Sequence, residues 1–311
     1  MSGRPAYSDL PEISPGHRSA WGVAADGDAR RGARVASAAA IAAAARLIRK
    51  GVVFNMDLPF GRFPPGFLGR APMRYEEELT PYGRDDHVDG FYLQSGSQWD
   101  GLRHVRHRGR YFGGLTDDDL AASDALGIGG AASLGIVGRA VLIDVERHWG
   151  ATGRTWSPAS RTLVSVDDLV AALARQRTEL RDGDVLLIRT GWLRWVRGEG
   201  SGYATTHTVD DAECVGLDPG ERTAEWIWDS GAIAVACDTP ALEAMPIRAR
   251  EDGFLHHRLI PLLGILIGEL WDLDALAADC ARDGVYEGFL VSSPLSIARG
   301  SGSPANAYVL K

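Results

Sequence analysis

Val166-Asp-Asp-Leu-Val-Ala-Ala-Leu-Ala-Arg-Gln176, then the turn Arg181-Asp-Gly-Asp184, then Val185-Leu-Leu-Ile188 is the stretch on which the fold turns. Its first part follows Ser165, a residue type that caps helices, and carries apolar residues at helical spacing. Its last part is a continuous apolar run of strand length, as expected of a strand buried on both faces. A helix therefore feeds a buried strand. The same unit recurs downstream. Glu221 to Ser230 reads as a helix stopped by Gly231, followed by the strand Ala232 to Cys237, and Leu273 to Cys280 is followed by Gly288 to Val291. Ala140 to Val145 is a further apolar run that ends in charge. Alternating helices and buried strands predict an α/β fold.

Working towards the N-terminus, the alanine-rich segment from Ala33 to Lys50 stops at Gly51 and predicts one helix, a packing or dimer-forming element. Val52 to Asp57 reads as a short strand. A long Pro/Gly-rich loop, Leu58 to Arg74, follows, and long ordered loops often line sites. Phe91-Tyr92-Leu93 predicts a strand that runs on into Gln94. With no internal repeat and no dividing linker, residues 33–311 are expected to form a single domain. Residues 1–32 are expected to be an N-terminal arm, poorly structured or held by an oligomer contact.

Composition narrows the function. The chain has 311 residues, is 45% hydrophobic and carries a net charge of -8 with both signs interspersed. That length can bury a large core, and the charge leaves no extended basic surface for nucleic acid. Three cysteines, Cys214, Cys237 and Cys280, are too few and too widely spaced for a disulfide framework or a cysteine-built zinc site, which fits a cytoplasmic protein. No run is long enough to span a bilayer, and no signal-peptide core precedes Trp21. A phosphate-binding glycine loop, a Gly-x-Ser-x-Gly elbow and a His-Glu-x-x-His helix are all missing from the sequence.

The chemistry concentrates in Gln94-Ser-Gly-Ser-Gln-Trp-Asp-Gly-Leu-Arg-His104. On a strand, Gln94, Gln98 and Asp100 would share a face, and three oxygen donors on one face suit a hard or borderline divalent cation. Asp100 equally suits the cap of a helix starting at Gly101, with His104 a packed helical residue. A second cluster is His256-His257, followed by Glu269 at the end of the apolar run Gly264 to Gly268. A buried carboxylate there needs a partner.

Together these segments resemble the cyclase family, which includes bacterial kynurenine formamidase and isatin hydrolase. The family hallmark is His-x-Gly-Thr-His-x-Asp-x-Pro-x-His. Residues 94–104 keep the glycine (Gly96), a hydroxyl residue (Ser97), Asp100 and His104, and carry Gln94 and Gln98 where the family has histidine. His257 and Glu269 match a family histidine and acidic residue with eleven residues between them, and the closing Pro294 to Tyr308, with Gly302-Ser303-Pro304, resembles the family's C-terminal substrate-side loop.

The resemblance implies a swivelling β/β/α-like fold with a mixed central sheet flanked by helices. It further implies a divalent metal, Mn²⁺ or Zn²⁺, at Gln94, Gln98, Asp100, His257 and Glu269, with His104 as acid/base. The reaction implied is hydrolysis of an amide, lactam or lactone in a small, cyclic or aromatic metabolite. The glutamines favour a harder ion such as Mn²⁺, because a neutral amide oxygen is a poorer zinc donor than imidazole. They also leave room for a non-hydrolytic cyclase, dehydratase or metabolite-binding member. Phe60, Phe91, Trp99 and Tyr111 are candidate walls for a flat substrate. A homodimer or homotetramer is expected, with neither nucleic acid nor membrane as partner.

Overall fold

The computed structural model describes residues 4–23, 34–63, 67, 69–208, 210–247 and 254–311. A mixed nine-stranded sheet runs through the centre, in the spatial order Gly302–Pro304, Gln98–Asp100, Leu266–Glu269, Ala234–Cys237, Val185–Arg189, Ile136–Asp144, Glu287–Ser292, Ala307–Leu310 and Val53–Asn55. The four strands from Leu266–Glu269 to Ile136–Asp144 are parallel, and antiparallel strands flank them on both sides. Those four strands are almost wholly buried, which is why they read as unbroken apolar runs. Glu287–Ser292, towards the edge, alternates half-buried and buried residues instead.

The deciding stretch folds as read. Val166–Gln176 is helical, opened by a capping box in which Ser165 and Asp168 satisfy each other's backbone N–H. Val185–Arg189 follows as a strand. The alanine-rich helix is shorter than expected, Ala38–Ala45, capped by Ser37, and it packs on Ile136–Asp144. Phe91-Tyr92-Leu93 is not a strand. Residues 91–97 turn repeatedly, and strand geometry begins only at Gln98.

Residues 4–23 of the expected arm fold onto the body, and residues 24–32 lie outside the described residues. Leu10 is buried, Asp229 accepts the Tyr7 N–H, and the Trp21 indole donates to the Pro261 carbonyl. The stretch after the Pro/Gly-rich loop carries an element the sequence reading lacked, a two-stranded ribbon of Arg74–Thr80 and Gly83–Asp89. No helix among the described residues is long and apolar enough to cross a membrane.

Candidate active site

Parallel strands deliver their loops to one edge of a sheet, and polar residues at these carboxyl ends need partners. Two such carboxylates are tied up structurally. Asp144 pairs with Arg189, and Asp238 accepts from the Thr190 and Gly191 N–H groups and the Thr190 hydroxyl. A further carboxylate, Glu269, ends Leu266–Glu269 directly opposite Gln98, with Asp100 opposite Ile267. Pairing of these antiparallel strands thus sets Gln98, Asp100 and Glu269 side by side, all buried.

Gln98 donates through Nε2 to Glu269 at 2.8 Å and more weakly to Asp100 at 3.4 Å. His256 closes the group, its Nε2 lying 3.1 Å from Glu269 and 3.4 Å from Asp100. Its Nδ1 lies 2.8 Å from Glu243, a buried carboxylate contributed by the loop after Ala234–Cys237. That contact fixes the ring orientation in the way carboxylates orient metal-ligating histidines. Phe254 stacks on the ring at 4.6 Å.

Gln94 reaches the group from a turn rather than by strand alternation. Its amide nitrogen bonds Asp100 and lies 3.0 Å from His104 Nδ1. It fits because Gly302 lies beneath it: a Cβ there would meet Gln94 Cγ at 2.7 Å and the Trp99 carbonyl at 2.6 Å. Within the closing segment, Gly302–Pro304 is an edge strand paired with Gln98–Asp100.

The charges are strongly coupled. Burial disfavours a charged His256, but Glu243, then Asp100 and Glu269, raise its pKa well above the ordinary value. Burial also opposes ionisation of Asp100, yet His104 and His256 hold its carboxyl below the usual range. Glu269 is pushed up by burial and by the neighbouring Asp100 charge. Burial lowers His104, leaving a neutral imidazole at neutral pH.

Asp100, His104 and His256 offer ligand atoms within 4.8 Å of one another, a group that could bind a metal. The donor set fits a cation on a further ground. Gln98 Oε1 is buried without a hydrogen-bond partner, and Asp100 Oδ2 has only the 3.4 Å approach of His256 Nε2, so oxygen lone pairs remain available to a cation. A cavity of about 220 Å³ opens on Gln98, His104, His256 and Glu269. Its apolar wall includes Pro240, Met245, Ile247 and Phe254, with Arg70 and Asp210 also lining it.

Of the residues read from sequence, Gln94, Gln98, Asp100, His104 and Glu269 are brought together. His257 is not: its ring packs edge-on against His107 and Phe254, and His256 takes the place assigned to it. Neighbours on the helix Leu255–Leu259 project about 100° apart, so one of the pair faces the sheet end. The four aromatic candidates line other regions. Trp99 points into the core and bonds Ser292, as alternation from Gln98 and Asp100 requires. Phe60 and Phe91 pack on each other beside a separate cavity of about 160 Å³. Tyr111 donates to Asp117. Glu243 and Arg70 were missed; the signal for Glu243 was a lone acid inside the apolar run Ala241 to Met245.

The Cyclase family model matches residues 57–244, more than half the chain. Among solved structures, one titled a novel cyclase is 32% identical, covering 94% of this chain and 99% of that one with a TM-score of 0.81. Isatin hydrolase A from Ralstonia solanacearum is 19% identical over 84% of this chain and 92% of its own, with a TM-score of 0.58. An isatin hydrolase bound to the product analogue thioisatinate is 17% identical over 83% and 92%, with a TM-score of 0.59. At such identities the last two show likeness of fold. No curated protein matches the sequence.

Proposed function

This chain belongs to the cyclase family, and from that premise we propose that it is a metal-dependent hydrolase opening an amide, lactam or lactone bond of a small, cyclic or aromatic metabolite. The observation that carries the reading is the buried Asp100, His104 and His256 group, which keeps oxygen lone pairs available and opens to a cavity sized for a small molecule.

Asp100 and His256, with the oxygens of Gln98 and Glu269, would hold the ion. The amide and carboxylate share of that set favours Mn²⁺ over Zn²⁺. Such a cation would polarise the substrate carbonyl towards attack by water. His104 serves the proton. Its side chain is 28% exposed, against 0% for Asp100 and 4% for His256, so it is the most open member of the group on a cavity that His256 also lines. As a neutral imidazole it accepts a proton from the attacking water as the new C–O bond forms. It returns that proton to the leaving nitrogen or oxygen as the C–N or C–O bond breaks. Gln94, touching both His104 and Asp100, holds the base in place. Pro240, Met245, Ile247 and Phe254 supply the apolar contact for the substrate's ring. The three cysteines are buried free thiols, in keeping with a cytoplasmic site of action.

A second reading, a non-hydrolytic cyclase, dehydratase or metabolite-binding member, is favoured by one observation. The amide nitrogens of Gln94 and Gln98 point at Asp100 and Glu269, and His256 with its raised pKa sits among three carboxylates, so the charges are partly balanced without an ion. Elemental analysis of protein purified without chelator, beside Asp100→Ala, separates the two. Stoichiometric manganese or zinc that is lost in the variant supports the hydrolase. Protein that stays metal-free after incubation with Mn²⁺ or Zn²⁺ overturns it and moves the second reading to first place. With metal bound, His104→Ala should retain the ion and lose turnover across a panel of amides, lactams and lactones.

A further inference from the structure

A second cleft opens at the same edge of the sheet, outside the carboxyl ends of Val185–Arg189 and Ile136–Asp144, where open α/β sheets take ligands. The helices Val145–Thr152, Val166–Gln176 and Asp274–Asp283 wall it, and its volume is about 1,020 Å³. It shares no lining residue with the cavity at His104 and His256. Between the two stand the strand Ala234–Cys237 and the bonds that tie Asp238 to Thr190 and Gly191.

The charges in this cleft do not cancel. Arg189, a buried residue, gathers three carboxylates: Asp144 at 2.9 Å, Glu146 at 2.6 Å and Asp274 at 2.9 Å. Arg194 takes the other oxygen of Glu146. Arg147 reaches Asp144 through Nε, at 3.2 Å, and its two terminal nitrogens make no hydrogen bond among the described residues. Arg175, exposed in the last turn of Val166–Gln176, enters no ion pair among them. Four guanidinium groups thus face three carboxylates, which leaves one positive charge in excess.

That excess is local. Gln176 donates to the Leu142 carbonyl and accepts the Asp144 N–H, while the Leu142 N–H donates to the Tyr286 carbonyl. These bonds draw Arg147, Arg175 and Tyr286 around one short segment, close enough for both guanidinium groups to act on the Tyr286 hydroxyl. Asp144 acts on it in the opposite sense, but that carboxylate is already shared by Arg189 and Arg147. The hydroxyl has no hydrogen-bond partner among the described residues. His148, half-buried beside Arg147, likewise leaves Nδ1 without one. Ala172 and Ala277 supply small, buried apolar walls.

We propose that this cleft binds the carboxylate of a small organic acid, held between Arg147 and Arg175 and hydrogen-bonded by the Tyr286 hydroxyl, with the apolar remainder of the acid against the alanines. The guanidinium fork matches the two oxygens of a carboxylate. One negative charge also balances the excess. A phosphate monoester, at about -1.5 to -2, overshoots it and meets repulsion from Asp144, Glu146 and Asp274. Neither a metal nor the hydrolysis proposed above enters into this binding.

Isothermal titration of the full chain with benzoate, cyclohexanecarboxylate and butyrate, beside benzamide and phenyl phosphate, tests this. At least one of the three acids should bind, one per chain, whereas benzamide should not bind and phenyl phosphate should bind more weakly than the best acid. Arg175→Gln should raise the Kd of that acid by about tenfold or more, and Tyr286→Phe by about fivefold. Both side chains lack a protein partner for the group removed, so both variants should melt within about 1 °C of wild type. His104→Ala should bind the acid as wild type does, which separates this cleft from the catalytic cavity. The proposal is overturned if none of the three acids binds saturably up to about 10 mM, if Arg175→Gln or Tyr286→Phe leaves Kd unchanged, if His104→Ala abolishes binding, or if phenyl phosphate binds more tightly than every acid.

Discussion

Removal of the Glu243 carboxylate should loosen the whole site, because that group holds His256 and is reached by no part of the motif around Asp100. Its oxygen sits 2.8 Å from His256 Nδ1, with both side chains buried. Breaking one partner out of a buried, hydrogen-bonded charge pair costs about 3–5 kcal/mol. The cost is eased here because Asp100 and Glu269 remain 3.4 and 3.1 Å from Nε2 and because one of three crowded carboxylates is gone. We therefore expect the lower end, about 3 kcal/mol, for Glu243→Ala in metal-free protein. At roughly 2 °C per kcal/mol for a chain of this size, the melting temperature should fall by about 6 °C. Glu243→Gln, whose amide oxygen still accepts from Nδ1–H, should recover about half of that loss. Calorimetric melts at neutral pH provide the first reading. Isothermal titration with Mn²⁺ provides the second, where loss of the orienting carboxylate should weaken affinity by about 10–100-fold. If Glu243→Ala melts within about 1 °C of wild type, a limit far below the shift worked out above, the reasoning about the buried pair is refuted.

Two further outcomes follow from local geometry. Gly302→Ala should cost about 1–3 kcal/mol by overpacking, and adding Gln94→Ala should recover only part of it, since the other clash is with the Trp99 backbone carbonyl; full recovery in thermal melts would contradict the contacts described. Asp279 is held at about 2 by hydrogen bonds from Lys50, with Lys311 and Arg282 adding to the effect against burial. A depressed folded-state pKa gives stability that is present above the unfolded value near 3.9 and lost as pH falls towards 2. The melting difference between wild type and Asp279→Asn should thus be full at neutral pH and close between about pH 4 and pH 2; a pH-independent difference would rule out the ion-pair origin.

The sequence was most legible where local and global preferences coincide. Val166–Gln176 has a capping box, helical apolar spacing and a buried strand after it, and each signal points to the same answer. Strands buried on both faces announced themselves as apolar runs. Reading was poorer where backbone geometry is irregular. Residues 91–97 are apolar and then polar like a strand, but turn, and Gln94 still arrives at Asp100 by a route alternation does not describe. The ribbon was missed because its charged strands have no buried face, and hence no hydrophobic period to detect.

The same division holds at the site. Residues 94–104 and Glu269 identified themselves by residue type and order, since a carboxylate or imidazole at the end of an apolar run is costly unless it has work or a partner. The linear sequence was therefore sufficient for the α/β class, for the family, and for the segments from which the chemistry is drawn. Which of His256 and His257 faces the carboxylates depended on the rotation of a short helix against the sheet. That Glu243 joins them depended on a loop returning over the neighbouring strand. That Trp99 does not touch the cavity depended on which face of a three-residue strand, buried on both, turns towards it. Each is a question of direction in space between segments far apart in the chain, and only tertiary packing fixes such directions.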